Sequence, residues 1–162
     1  MQHCQQVQQL KTKMSKIVEI AQAEIGQGET PLNSNITKYG TWFGLNGVAW
    51  CAIFVSWVYF KAGKALPKIG YTKGYAGCQT AYNYFKQNGW LVTEPIAGDI
   101  VLFDWNSDGR FDHTGIFKEK ISATKFKTIE GNTSLKNDSN GGEVMERVRD
   151  FKVAIFARNP KG

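Results

Sequence analysis

The spacing of apolar residues changes about halfway along the chain, from helical periodicity to short apolar runs. Residues 17–25 carry apolar side chains at helical spacing, and the almost wholly apolar segment Val48–Phe60 is typical of a buried helix that ends near Gly63. A third helix is predicted over Gln79–Gln87. Residues 29–47 combine Gly, Pro and Asn with aromatic side chains that need burial, which predicts an ordered loop.

The second half contains five short runs rich in Val, Ile and Phe, separated by Gly, Asp and Asn. These runs predict antiparallel strands over Ile100–Phe103, Thr114–Phe117, Lys127–Ile129, Val144–Val148 and Val153–Ala157. Helices followed by strands predict an α+β domain, with N-terminal helices packed on an antiparallel sheet of about five strands. The short gaps predict a meander. We expect one domain over residues 17–160, preceded by a polar leader over residues 1–16.

Composition narrows the function classes. A chain of 162 residues with 42% hydrophobic residues fits one globular domain, and no apolar stretch is long enough to predict membrane insertion. The net charge of +6 favours an acidic partner, such as nucleic acid, an anionic membrane surface or the polyanionic bacterial wall. The basic residues come without any nucleic-acid-binding motif, so nucleic acid is not an expected partner. The three cysteines lack CxxC spacing, which argues against a zinc site or a disulfide framework.

The scarcest residues indicate the chemistry. The chain has two histidines, and only His113 lies outside the leader. Cys51 lies in the first turn of a predicted helix, where the helix dipole and free N–H groups favour a thiolate. A thiol nucleophile needs a base and a third group that orients the base, and His113 and Glu130 fit these roles on neighbouring predicted strands. Asn132 follows two residues later. Each residue taken alone is more typical of an inert buried thiol or a surface side chain.

Four sequence segments together carry a resemblance to a known family. They are Trp50–Trp57 (WCAIFVSW), Gly98–Phe103 (GDIVLF), Asp112–Phe117 (DHTGIF) and Ile129–Thr133 (IEGNT). Their order and spacing resemble the CHAP family (cysteine, histidine-dependent amidohydrolases/peptidases), from about Glu19 to Arg158. The resemblance implies a papain-like fold and hydrolysis of bacterial peptidoglycan, as in phage endolysins and bacterial autolysins.

The resemblance also implies roles for individual residues. Cys51 is expected to be the nucleophile, His113 the general base, Glu130 the group that orients His113, and Asn132 a fourth polar member. The scissile bond would join sugar to stem peptide, as for an N-acetylmuramoyl-L-alanine amidase, or would lie within the peptide, as for an endopeptidase.

A second group of polar residues precedes His113. Residues 104–112 carry oxygen-bearing side chains at loop positions one, three, five and nine, with Gly at position six, like the start of an EF-hand loop. The expected calcium ligands are Asp104, Asn106, Asp108, the Arg110 carbonyl and Asp112. Position twelve is Gly115 where an EF-hand has Glu, and a hairpin loop without metal is the alternative. Some CHAP relatives bind calcium in comparable loops. No organic cofactor is expected.

Two other functions remain open at this point: a non-catalytic wall-binding module with the same fold, and a cysteine peptidase directed at a protein. The chain is expected to act outside the cell as a monomer or as a module of a larger lysin. Because the N-terminus lacks the apolar block of a signal peptide, release by lysis, transport on a particle, or origin as a fragment of a longer exported protein is expected.

Overall fold

The computed structural model describes residues 16–138 and 140–161. Four helices precede the sheet: α1 (residues 16–23), α2 (Lys38–Phe43), α3 (Cys51–Lys61) and α4 (Cys78–Gln87). Six strands follow: β1 (Leu91–Val92), β2 (Ile100–Phe103), β3 (His113–Lys120), β4 (Lys125–Thr133), β5 (Glu143–Asp150) and β6 (Ala154–Ala157). The predicted α+β class is confirmed. Most of the predicted leader, residues 1–15, lies outside the described residues.

The sheet departs from the predicted meander at its last strand. Its strand order is β1-β6-β2-β3-β4-β5, and every pairing is antiparallel. Strands β2 to β5 follow one another as predicted. Strand β6 instead crosses the sheet to pair with β2, with Ile100 opposite Ala157, and the two-residue strand β1 was not predicted.

The predicted loop over residues 29–47 contains a short helix, α2. The Thr37 side chain caps its first turn by accepting a hydrogen bond from the Gly40 amide at 3.0 Å. Tyr39 and Phe43 are buried in the core as expected, whereas Trp42 is only partly buried against it.

Helix α3 is the central helix of the molecule, and every residue from Cys51 to Tyr59 is buried. It packs on β3 and β4 within the larger apolar core, while a second apolar cluster contains Phe103, Phe117 and Phe126 from the sheet. Gly131 of β4 allows the close approach of α3, because a Cβ atom there would lie 2.7 Å from Cβ of Phe54. The start of α3 is therefore held against the strands that carry the candidate base.

No helix in the described ranges 16–138 and 140–161 combines the length and apolar character needed to cross a membrane.

Candidate active site

Cys51 is the first residue of α3 and is almost completely buried, with 4% of its surface exposed. The preceding residue, Trp50, has backbone angles that are neither helical nor extended (φ −117°, ψ 15°) and provides no side-chain cap for the helix. The first-turn N–H groups are thus not satisfied by a capping side chain of the usual kind. A negative charge at the Cys51 sulfur is favoured at this end of the helix.

His113 and Glu130 form a fully buried pair on adjacent strands. His113 Nε2 lies 2.8 Å from Glu130 Oε1, and neither side chain is exposed. Gly115 makes room for this contact, because a Cβ atom at that position would lie 2.7 Å from Cγ of Glu130. The predicted juxtaposition of His113 and Glu130 on neighbouring strands is found in the structure.

Glu130 is held by more than His113. Arg149 of β5 donates two hydrogen bonds to the carboxylate, from Nε to Oε2 at 2.8 Å and from Nη2 to Oε1 at 2.6 Å, and the Thr128 hydroxyl donates to Oε2. Burial raises the pKa of Glu130, but the hydrogen bonds from Arg149 and His113 outweigh it and lower the pKa to about 2. Glu130 is therefore ionised at neutral pH and fixed in orientation.

The remaining nitrogen of the His113 ring, Nδ1, is buried and has no hydrogen-bond partner among the described residues. The charge of the Cys51 thiolate nevertheless acts on the His113 ring. Burial lowers the pKa of His113, but the Cys51 thiolate and Glu130 outweigh it and raise the pKa to about 9. The site favours a thiolate at Cys51 together with an imidazolium at His113. The two groups gain and lose protons together.

Cys78, which we did not expect in the site, is the first residue of α4 and contacts Cys51. A hydrogen bond from Cys78 makes the largest contribution to lowering the pKa of Cys51, burial opposes it, and the charge of His113 lowers it further. The same hydrogen bond raises the pKa of Cys78, so Cys78 stays a neutral donor. Sequence spacing gave no signal of this contact, because 27 residues separate the two positions.

Arg149 is the second contributor that sequence reasoning missed. Its guanidinium lies 4.8 Å from the ring centroid of Trp105 and 5.5 Å from that of Phe103, and its Nη1 donates to Asp138 at 2.9 Å. A buried arginine needs a carboxylate partner, and in the folded chain that partner is Glu130.

Asn132 lies in the same strand as Glu130, in a β-bulge between Glu130 and Thr133. It is buried and has a left-handed backbone (φ 56°), and its amide donates to Asn140 Oδ1 at 3.4 Å. Its assignment as a fourth member of the site stays a prediction.

Three of the predicted calcium ligands converge on one turn. With its amide nitrogen turned towards the carboxylates, Asn106 donates to Asp108 Oδ1 at 3.0 Å and to Asp104 Oδ1 at 3.2 Å. Asp104 also accepts backbone N–H groups from Asp108 and Gly109. The carboxylate oxygens of Asp104 and Asp108 are of the hard kind that calcium prefers, whereas Asn106 would have to turn its amide oxygen towards them to bind the ion. However, no group of three or more His, Cys, Asp or Glu side chains suited to a metal occurs in the described part of the chain, so calcium stays a prediction.

Comparison with known protein families gives one match. The model of the CHAP domain matches residues 43–132, a range that begins before α3 and includes Cys51, His113, Glu130 and Asn132. Searches among curated protein sequences and among solved structures gave no match. The matched range spans more than half of the 162 residues. The chain therefore belongs to the CHAP family, a family of cell-wall amidases and peptidases.

Proposed function

We propose that the chain is a cysteine hydrolase that cleaves an amide bond of bacterial peptidoglycan through an acyl-enzyme. The observation that carries this proposal is the buried pair of His113 and Glu130, joined through Nε2 at 2.8 Å, in a fold that begins α3 with Cys51 and packs α3 on the strands of this pair. A wall-binding module has no need for a thiol with a lowered pKa beside a histidine with a raised pKa. This pair of shifts therefore favours an enzyme over a binding module.

The first step is acylation. The Cys51 thiolate attacks the carbonyl carbon of the amide and forms a tetrahedral oxyanion. The backbone N–H of Cys51, at the N-terminal end of α3, is the proposed first donor to that oxyanion. The intermediate collapses when His113 transfers its proton to the leaving amine, and a thioester on Cys51 remains.

The second step is hydrolysis. Neutral His113 takes a proton from a water molecule as the water attacks the thioester carbon, and the carboxylic acid leaves as Cys51 returns to the thiolate. Glu130 keeps its charge throughout, because Arg149 and His113 hold its pKa at about 2. Its role is to hold the ring of His113 and to stabilise the imidazolium.

A second oxyanion donor could come from the loop that holds Tyr39, Trp42 and Asn46, which precedes α3. The Tyr39 hydroxyl donates to Glu24 at 2.9 Å, and the Asn46 amide donates to Thr41 at 3.1 Å. Both side chains are engaged in local contacts, and we therefore assign neither of them to the oxyanion.

Calcium enters the proposal as a stabiliser of the loop before His113. Asp104, Asn106 and Asp108 would hold the ion, with the Arg110 carbonyl and Asp112 completing the predicted set. A bound cation supplies charge that draws the carboxylates together and stiffens the turn.

Purified bacterial cell walls provide the test. The native chain is expected to clear the walls and release muropeptides with new termini, and Cys51→Ala is expected to do neither while still sedimenting with the walls. Mass spectrometry of the fragments separates an amidase from an endopeptidase. Intact muropeptides after incubation with the native chain would refute the proposal and favour a binding module or a peptidase directed at a protein.

The place of action follows from the substrate. Peptidoglycan lies outside the cytoplasm, and we therefore propose that the chain acts at the wall after release by lysis, on a particle, or as part of a longer exported protein.

A further inference from the structure

The charge of the chain is unevenly distributed, and the helical half carries an acid-free segment. Between Thr30 and Thr93 the sequence contains six lysines and no Asp or Glu. This segment includes α2, α3 and α4. It has a positive charge equal to the net charge of +6 of the entire chain.

Three of these lysines lie over tryptophan rings on α2 and α3. Lys73 Nζ is 5.0 Å from the ring centroid of Trp42, and Lys38 Nζ and Lys61 Nζ are 5.2 Å and 5.6 Å from that of Trp57. The Trp42 ring in turn contacts Phe60, which is 46% exposed, with centroids 5.0 Å apart. We call this set the aromatic–lysine surface: Lys38, Trp42, Trp57, Phe60, Lys61 and Lys73.

The charges of this surface are largely uncompensated. Lys38 pairs with Glu24, whereas Lys61 and Lys73 have no carboxylate partner among residues 16–138 and 140–161. All three lysines are exposed. Lys73 is nevertheless fixed, because its ammonium also donates to the Trp42 carbonyl. Trp57 is buried beneath Lys38 and Lys61, whereas Trp42 is partly exposed and Phe60 is exposed. Ordered cations beside these two accessible rings provide a preformed site for an anion with an apolar backbone.

The surface is separate from the candidate active site. Cys51 and Lys61 are the first and last residues of α3, and a helix of that length places them about 15 Å apart. A polymer bound at the aromatic–lysine surface would leave the start of α3 open to a second chain segment.

We propose that the aromatic–lysine surface binds a phosphodiester-linked polyol polymer of the cell wall. Phosphates along such a chain would pair with Lys61 and Lys73, and the C–H groups of the intervening polyol or sugar units would contact the Trp42 and Phe60 rings. This inference rests on the proposed function, since it places the hydrolase on the anionic polymer that accompanies its peptidoglycan substrate. Binding is expected to weaken with ionic strength, because salt screens exposed charges.

The test is cosedimentation of the full chain, carried as Cys51→Ala so that the walls stay intact. Two wall preparations from one Gram-positive strain are compared, one intact and one from which hydrofluoric acid has removed the phosphodiester polymer. Lys61→Gln/Lys73→Gln removes two lysines of the surface. Lys120→Gln/Lys152→Gln removes the same charge from residues around Phe151, outside the aromatic–lysine surface, and is the matched control.

On intact walls, Lys61→Gln/Lys73→Gln is expected to bind roughly five- to tenfold more weakly, as for the loss of two exposed ion pairs, and the control variant is expected to bind like the parent. On stripped walls, Cys51→Ala alone is expected to bind as weakly as Lys61→Gln/Lys73→Gln binds to intact walls. The difference in affinity between the variants is then expected to vanish. Equal binding by both double variants, or equal binding of the parent to both wall preparations, would overturn the proposal. Stronger binding to anionic phospholipid vesicles than to walls, lost in Lys61→Gln/Lys73→Gln, would assign the surface to a membrane and would also overturn it.

Cleavage of soluble muropeptides by the native chain is measured in parallel. Failure to cleave them would refute the proposed hydrolase, whereas the binding results on walls depend on the aromatic–lysine surface alone. The two failures are therefore distinguishable.

Discussion

Removing Arg149 tests whether the buried charge network supports the site. Arg149→Met deletes the two hydrogen bonds to Glu130 and keeps an aliphatic side chain of similar length against Trp105. The carboxylate then keeps only His113 and Thr128 as partners in a position with no solvent exposure. Because burial raises the pKa of a carboxyl group, we expect the pKa of Glu130 to move up from about 2 towards or above its ordinary value of 4.5.

The size of the effect can be estimated from the same shift. A pKa lowered from 4.5 to about 2 corresponds to roughly 3 kcal/mol in favour of the ionised form, shared between Arg149 and His113. Removal of one partner of a buried pair costs about 3–5 kcal/mol. At roughly 2–4 °C per kcal/mol, the melting temperature of Arg149→Met is expected to fall by roughly 6–20 °C at neutral pH.

The stability difference between the native chain and Arg149→Met is expected to change with pH in a definite direction. The pKa of Glu130 is depressed in the folded chain, so its contribution to stability is present above about pH 4.5 and is lost as the pH falls towards about 2. The gap in melting temperature between the native chain and Arg149→Met is therefore expected to narrow over that window. The acid limb of the cleavage rate is expected to move to higher pH in the variant, because Glu130 becomes protonated sooner and no longer stabilises the His113 imidazolium.

Circular dichroism melts and initial rates of muropeptide cleavage across pH provide the assay. Arg147→Met is the matched control, since Arg147 lies on the same strand and pairs with the same Asp138, but its hydrogen bonds do not include Glu130. Arg149→Lys keeps the charge but cannot form two parallel hydrogen bonds to the carboxylate. Its melting temperature is expected to lie between those of the native chain and Arg149→Met. The reasoning fails if Arg149→Met melts within about 2 °C of Arg147→Met and keeps the native acid limb.

Three further predictions concern protonation, geometry and metal. The cleavage rate is expected to fall above about pH 9, where His113 loses the proton for the leaving amine, and a rate that stays constant to about pH 10 would contradict this role. Gly115→Ala places a methyl group 2.7 Å from Cγ of Glu130, so kcat for muropeptide cleavage is expected to fall by roughly tenfold or more with the fold retained; native kcat would show that the carboxylate tolerates displacement. Calcium is expected to raise the melting temperature of the native chain but not that of Asp104→Asn. Identical melting temperatures of the native chain in calcium and in chelator would refute the proposed calcium site.

The central residues of the site were predictable because they belong to scarce types in informative positions. His113 is one of two histidines and begins a strand, and Cys51 begins a helix whose apolar length predicts burial. Antiparallel pairing of the strand that His113 opens with the strand that Glu130 was predicted to end was enough to predict that the two side chains lie together. Local patterns contain this information, because each residue's position depends on the element that carries it.

Long-range pairing was not predictable in the same way. The meander prediction fails at β6, which pairs with β2 across about fifty residues of sequence, and no local pattern specifies that partner. The end of strand β5 also reverses the usual order, in which apolar side chains face the core and charged ones face solvent. Val148 is 57% exposed while its neighbour Arg149 is buried, so an apolar-inward rule selects the wrong side chain. Arg149 is buried because Glu130 pairs with it, and that pairing exists only in the folded sheet.

The charges of the site form an alternating series that extends beyond the residues matched to the family. The Cys51 thiolate faces the His113 imidazolium, His113 faces the Glu130 carboxylate, and Glu130 faces the Arg149 guanidinium, which in turn binds Asp138, whose side chain is 53% exposed. His113, Glu130 and Arg149 thus each have an opposite charge on either side, and the series ends at the exposed carboxylate of Asp138. The family match ends at residue 132, before Asp138 and Arg149. The residues that perform the proposed chemistry therefore depend for their ionisation on β5 and the loop before it, which the family model does not include.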